Sequence, residues 1–130
     1  MVRPFLRWIG GKWNLVREIA ALCPPDVDNR HYWEPFLGAG SLFFALQPEK
    51  ACLSDRNAEL MNSYKFVKCR PLLVFQYLAA HARRHDEDYY YSVRERFNGG
   101  RCSAAQAARF IYLNKACFNG VFRVNRDGEF

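Results

Sequence analysis

Gly38, Ala39 and Gly40 stand between a short apolar run, Tyr32-Trp33-Glu34-Pro35-Phe36-Leu37, and an apolar helical pattern that begins at Ser41. Glycines there can adopt positive φ and let a ligand approach the backbone closely. A helix that starts beside them turns its unpaired N–H groups towards the loop. Strand, glycine loop and helix in that order make a nucleotide-binding unit. The dinucleotide fingerprint asks for a third glycine, and Phe43 occupies that position. Its ring is too large for the close helix–strand contact, which disfavours a nicotinamide-dependent oxidoreductase. Asp55 follows the next apolar run, Ala51-Cys52-Leu53-Ser54. A carboxylate at the carboxyl end of a second parallel strand can accept both hydroxyls of a ribose. Its structural alternative is a helix N-cap, a role open to Asp55 or Asn57.

Three other clusters carry possible chemistry. Gly10-Gly11-Lys12 is half of a phosphate-binding loop, but Leu6 and Trp13 stand where the first glycine and the Ser/Thr belong, so ATP chemistry is disfavoured. A lysine at the start of a helix meets an already positive terminus, and a bound carboxylate would relieve it. His81 and His85 have the spacing of a metal pair. The flanking Arg83 and Arg84 would repel a cation, and both histidines are expected to be solvated, with no metal bound. Phe110 to Arg126 interleaves aromatic, amide and basic groups, among them Asn114, Lys115, Phe118, Asn119, Arg123, Asn125 and Arg126. Arginine can take guanine bidentately, asparagine can take adenine, and aromatic rings can stack on bases or wedge between them.

The elements that must hold these groups follow from periodicity. Apolar residues at 13, 16, 19, 20 and 22 predict a helix over Lys12 to Leu22, ended by Pro24-Pro25. Strands are predicted over 31–36 and 51–54, with helices over Ser41 to Gln47 and Asn57 to Lys68. Strand, helix, strand, helix argues for a parallel α/β sheet. After Pro71 the pattern changes to helices alone: Leu72 to His85, Glu87 to Phe97, and 104–116. Ser103 with Gln106 forms a capping-box pattern ahead of the last. Tyr89, Tyr90 and Tyr91 cannot share one helix face, so at least one must pack inward. Val121 to Asn125 reads as the first strand of a hairpin turning at Asp127-Gly128. Its return strand would be cut short at Phe130, so the chain is expected to be a fragment.

The 130 residues suffice for one domain with a core, and half are hydrophobic, which excludes disorder. The net charge of +6 suits a polyanionic partner. Five cysteines without a CxxC point to reduced, mostly buried thiols, not a disulfide or zinc framework. No secretory h-region opens the chain, and no run approaches the roughly 20 apolar residues of a membrane span. A cytoplasmic protein of bacterial or phage type is expected.

Several of these stretches recur together in one family. Phe5-Leu6-Arg7-Trp8-Ile9-Gly10-Gly11-Lys12, Glu34-Pro35-Phe36-Leu37-Gly38-Ala39-Gly40-Ser41, Ser54-Asp55-Arg56-Asn57, Tyr112-Leu113-Asn114, Phe118-Asn119-Gly120 and Arg123-Val124-Asn125 stand in its order. The chain resembles the Dam-type DNA adenine-N6 methyltransferases. The resemblance implies a Rossmann-like methyltransferase sheet, incomplete here, with S-adenosylmethionine as cofactor. Trp8 and Lys12 would belong to its site, Lys12 near the methionyl carboxylate. Glu34, Phe36, Gly38, Ala39, Gly40 and Ser41 would wrap the methionine part, and Asp55 would hold the ribose.

By the same resemblance, residues 1–69 are the N-terminal part of the cofactor domain. Residues 70–130 are the helical target-recognition region, truncated in its hairpin. Phe118, Asn119 and Arg123 match the DNA-contacting hairpin, although a tyrosine is usual where Phe118 stands. The partner implied is double-stranded DNA, and the full-length protein is expected to be a monomer. GATC is the family's commonest target, and Arg123 is compatible with it. The family's catalytic Asp-Pro-Pro-Tyr does not occur in these residues, and its place in the family comes beyond Phe130. The mechanism needs those groups to hold and stack the flipped adenine. The 130 residues alone are therefore expected to transfer no methyl group. A truncated or decayed DNA- or cofactor-binding module is the alternative.

Overall fold

The computed structural model describes residues 1–127 and 129–130. Gly128 of the expected hairpin turn lies outside the described residues. The chain divides into two compact units, Met1–Arg56 and Asn57–Phe130.

The first unit is mixed α/β. A 3₁₀ turn, Trp13–Leu15, leads into helix α1, Val16–Ala21. Strand β1 is Tyr32–Glu34, helix α2 is Ser41–Leu46, and strand β2 is Ala51–Leu53. The strands pair in parallel, with Tyr32 opposite Ala51, Trp33 opposite Cys52 and Glu34 opposite Leu53. β1 is shorter than the expected 31–36 because Pro35 has no N–H to give a ladder. Leu6, Val16, Leu37 and Ala39 form the buried centre. Phe43 packs its ring 6.5 Å from that of Tyr32 and 5.2 Å from that of Phe44, so it fills the space a third glycine would leave open.

The second unit is helical. Its elements are α3 (Ala58–Cys69), α4 (Pro71–Arg83), α5 (Glu87–Asn98) and α6 (Ala104–Ala116). Helices α3, α5 and α6 carry the side-chain caps that sequence chemistry favours. Asn57 accepts from Leu60 N, Asp86 from Tyr89 N and Ser103 from Gln106 N. The reciprocal half of the capping box is diverted. Gln106 is 1% exposed, and its amide donates to Phe97 O at 2.9 Å. Gly100 makes room for it: a Cβ there would lie 2.0 Å from Gln106 Oε1. Helix α6 is the centre of this unit, with α3, α4 and α5 packed on it. Ala104, Ala107 and Ala108 let its neighbours approach, and Phe110 and Leu113 fill the core.

Three expectations are corrected here. Val121 to Asn125 forms no strand. Asn125 N donates to Glu129 O across the turn at 2.8 Å, and Asn125 Oδ1 accepts from Asp127 N and Glu129 N. Among the described residues the cysteines form no disulfide, but Cys52, Cys69 and Cys102 are exposed and Cys23 and Cys117 half-buried. The two histidines differ: His85 is exposed, as expected, but His81 is not. His81 is buried, with Nδ1 2.8 Å from the Tyr89 hydroxyl, and its ring stacks on Tyr112 at 5.0 Å. His85 Nδ1 lies 2.8 Å from the Tyr112 hydroxyl. Of the tyrosine triplet, Tyr91 is exposed, whereas Tyr89 and Tyr90 are half-buried. Among the described residues no helix is long and apolar enough to cross a membrane.

Burial, and then Arg109, Arg96 and Arg84, hold the His81 imidazole below its ordinary value. The unfolded chain takes up this proton near pH 6.5, the folded chain only at lower pH. The unfolded state therefore binds more protons in between, and stability falls as pH drops below about 6.5. Glu34 and Glu59, raised by burial, act in the opposite sense, so comparison with a variant isolates the histidine. The urea midpoint of the wild type should fall between about pH 7 and pH 5 by more than that of His81→Gln. Parallel pH dependences would sink this assignment.

Candidate cofactor site and recognition segment

In the first unit the loop after β1 folds back on the end of β2. Leu37 N donates to Ser54 O at 2.9 Å, and Gly40 N donates to Leu37 O at 2.7 Å. Gly38 and Gly40 take φ of +50° and +67°, a region disfavoured for residues with a Cβ. Asp55 reaches across to this loop, its Oδ2 accepting from Gly38 N at 2.9 Å. The alternative left open by the sequence is thereby resolved: Asn57 caps α3, and Asp55 secures the glycine loop.

The Trp8 indole packs against the same glycine. A Cβ on Gly38 would stand 3.0 Å from Trp8 Cδ1. The chain then turns at Gly10, where φ is +74°, with Gly11 N bonded to Trp8 O at 3.0 Å. Lys12 follows, its Nζ donating to Gly10 O at 3.2 Å.

These pieces enclose a cavity of about 560 Å³, within the usual range of small-molecule sites. Trp8, Lys12, Glu34 and Phe36 line it, as do Gly38, Ala39, Ser41 and Asp55. Gly40 is buried behind the wall, against Leu37 and Phe44. The sequence reading missed Ile19 and Leu42, which add apolar lining; spacing marked Ile19 only as one of a helical set. Glu34 accepts from the Tyr32 hydroxyl at 2.7 Å. Burial pushes its carboxyl up, against the opposing pull of that hydrogen bond and of the Phe43 backbone. The lining thus combines aromatic and aliphatic surface with one ammonium and two carboxyl groups. That set suits a ligand with a flat apolar part, hydroxyls and a zwitterionic end.

In the second unit, Phe118, Asn119 and Arg123 share a cleft of about 250 Å³ with Tyr90 and Arg94. Phe118 is 87% exposed, and Asn119 holds a left-handed φ of +55°. Lys115, Arg123, Asn125 and Arg126 are exposed. Asn114 differs from them. It is wholly buried, and its Nδ2 donates to Gly120 O at 3.1 Å. Its side chain therefore braces the 118–120 turn and is withdrawn from any surface contact with a base. Arg94 was not singled out from sequence, where it is one of two arginines on α5. Among the described residues no group of three or more metal-ligating side chains forms.

The mixed α/β unit thus carries a glycine-loop cavity, and the helical unit a turn with exposed basic and aromatic side chains. The chain belongs to the D12 class N6 adenine-specific DNA methyltransferases, whose family description matches residues 8–130. It is 38% identical over 133 residues to the Type II methyltransferase M1.LlaDCHI of Lactococcus lactis subsp. cremoris, covering 99% of this chain and 46% of that protein. It is 37% identical over 147 residues to the Type II methyltransferase M.MjaIII of Methanocaldococcus jannaschii, covering 99% and 50%. It is 37% identical over 134 residues to the DNA adenine methylase of Serratia marcescens, covering 98% and 47%. The chain spans about half the length of the curated relatives it matches.

Proposed function

We propose that this chain is the N-terminal part of an adenine-specific DNA methyltransferase. The reaction moves a methyl group from S-adenosylmethionine to the N6 amino group of adenine in double-stranded DNA. The observation that carries the reading is the convergence of Trp8, Lys12, Gly38 and Asp55 on one cavity in a chain of this family. The two parallel strands are the beginning of a Rossmann-like sheet. Residues 1–69 serve the cofactor and 70–130 the target, with GATC the proposed site and a monomer the working form.

The lining fits the cofactor's chemistry. Lys12 supplies a cation for the methionyl carboxylate. Glu34, Phe36 and the 38–41 loop wrap the methionine part, and Asp55 accepts from the ribose hydroxyls. Bound there, the cofactor supplies an electrophilic methyl group on a sulfonium. Ile19, Leu42 and Trp8 exclude water from that region, and Asp55 also holds the loop through Gly38 N. Phe118, Asn119 and Arg123 meet the DNA, supported by Lys115, Asn125 and Arg126. Asn114 contributes through the turn it braces. No Asp-Pro-Pro-Tyr stands in the 130 residues, so none of their side chains is assigned to the adenine amino group.

Calorimetric titration of the chain with S-adenosylmethionine tests the cofactor assignment. Saturable heat is expected with it and none with NAD. Asp55→Asn keeps an acceptor for Gly38 N but loses the charge, and should weaken binding about 5- to 10-fold, as for a hydrogen bond to an ionised group. Equal affinity for NAD, or binding indifferent to Asp55→Asn, overturns it.

A further inference from the structure

The turn bearing Arg123 is tied to the helical unit near its two ends, and the tie at 130 uses residues to which no role has yet been given. At one end Asn114 holds Gly120. At the other, Phe130 is buried. Its ring centroid is 5.2 Å from that of Phe122 and 6.1 Å from that of Phe97. Its backbone is held as well as its ring. Asn98, the last residue of α5, accepts from Phe130 N at 2.8 Å, and Arg94 Nε donates to the Phe130 backbone oxygen. The Arg94 guanidinium also lies over the Phe130 ring, 5.9 Å from its centroid. Inside these ties the loop closes on itself through Asn125, which accepts from Asp127 N and Glu129 N and donates to Glu129 Oε2. Arg123 to Asp127 are exposed.

We propose that Asn98 is a positioning residue: through the Phe130 N–H it fixes the far end of the 121–130 segment and so sets where Arg123 and Phe118 meet DNA. The inference rests on the reading of Phe118, Asn119 and Arg123 as the DNA-contacting groups. Physically, an exposed loop with two fixed ends loses little further entropy when it docks, whereas one released at an end must be ordered by binding. Asn98 is exposed at a helix end, so its truncation removes the bond to the Phe130 N–H without opening the core, and leaves the Arg94 bond and the buried ring as the remaining holds on that end.

The test uses the 130-residue chain, with amide hydrogen exchange at Phe130 and affinity for a labelled DNA duplex containing GATC. Asn98→Ala should lose protection of the Phe130 amide, leave the thermal midpoint nearly unchanged, and bind the duplex about 3- to 10-fold more weakly. Asn98→Asp keeps the acceptor and should restore the protection. Wild-type binding that Asn98→Ala leaves unchanged overturns the positioning role. A protected Phe130 amide in a wild-type chain that binds no duplex overturns instead the DNA reading on which that role rests. A Phe130 amide equally protected in Asn98→Ala shows that the tie is not made by Asn98.

Discussion

Replacing Phe110 by alanine should destabilise the helical unit by about 3–5 kcal/mol. Phe110 is 1% exposed on the central helix α6. Its ring lies 6.1 Å from Phe97 and 5.2 Å from Phe122, and both of those rings meet Phe130. Truncation removes the transfer free energy of the ring and leaves a cavity that rigid helices on several sides cannot close. Small domains have only about 5–15 kcal/mol in all, so the variant should be largely unfolded in mild denaturant. Phe118→Ala is the matched control. It deletes the same atoms from a side chain that is 87% exposed, and should shift stability by no more than about 0.5 kcal/mol. Urea denaturation of both variants checks the contrast. A loss below about 1 kcal/mol in Phe110→Ala would mean that α6 is not the centre of the core.

That contrast also marks what was legible in the sequence. Phe110 and Phe118 belong to one aromatic, basic stretch, and spacing alone did not separate a core ring from a surface one. Helices and strands were legible because they are local. Apolar residues recur at helical spacing along α3 to α6, and Asn57 and Ser103 stand where caps form. Groups whose partners are distant in the chain were not. His81 looked like a surface residue because its neighbours Arg83 and Arg84 are charged. Its environment is set by Tyr89 and Tyr112, on two other helices. Asn114 looked like a base-reading amide, but the carbonyl of Gly120 claims it. Val121 to Asn125 has β-prone residues, yet forms no strand: beside the backbone bond from Asn125 N to Glu129 O, the Asn125 side chain takes the N–H groups of Asp127 and Glu129.

The glycine-loop cavity was the most legible feature, since its glycines, acid and lysine each have a physical reason to stand where they do. The two roles open to Asp55 shared one address in sequence. The structure gives the cap to Asn57 and ties Asp55 to Gly38 N.

The same bond makes Gly38 the most sensitive position in that cavity. Gly38→Ala should weaken binding of S-adenosylmethionine about 10- to 100-fold, from backbone strain of roughly 1–3 kcal/mol compounded by a steric conflict. The φ of +50° is disfavoured for alanine. The new Cβ would also press on Trp8 Cδ1 at 3.0 Å, moving an indole that lines the cavity. Relief of either conflict shifts Gly38 N away from Asp55, so the acid loses its tie to the loop. Gly10→Ala separates the two causes. Gly10 has a φ of +74°, but a Cβ there meets nothing within 4 Å. It should therefore show the strain without the displacement of Trp8, and bind more tightly than Gly38→Ala. The Trp8 fluorescence environment should change in Gly38→Ala alone, read against variants with Trp13 and Trp33 replaced by phenylalanine. Equal losses in the two glycine variants would mean that the contact between indole and glycine loop plays no part in holding the ligand. Unchanged affinity in both would remove the cavity from consideration as the cofactor site.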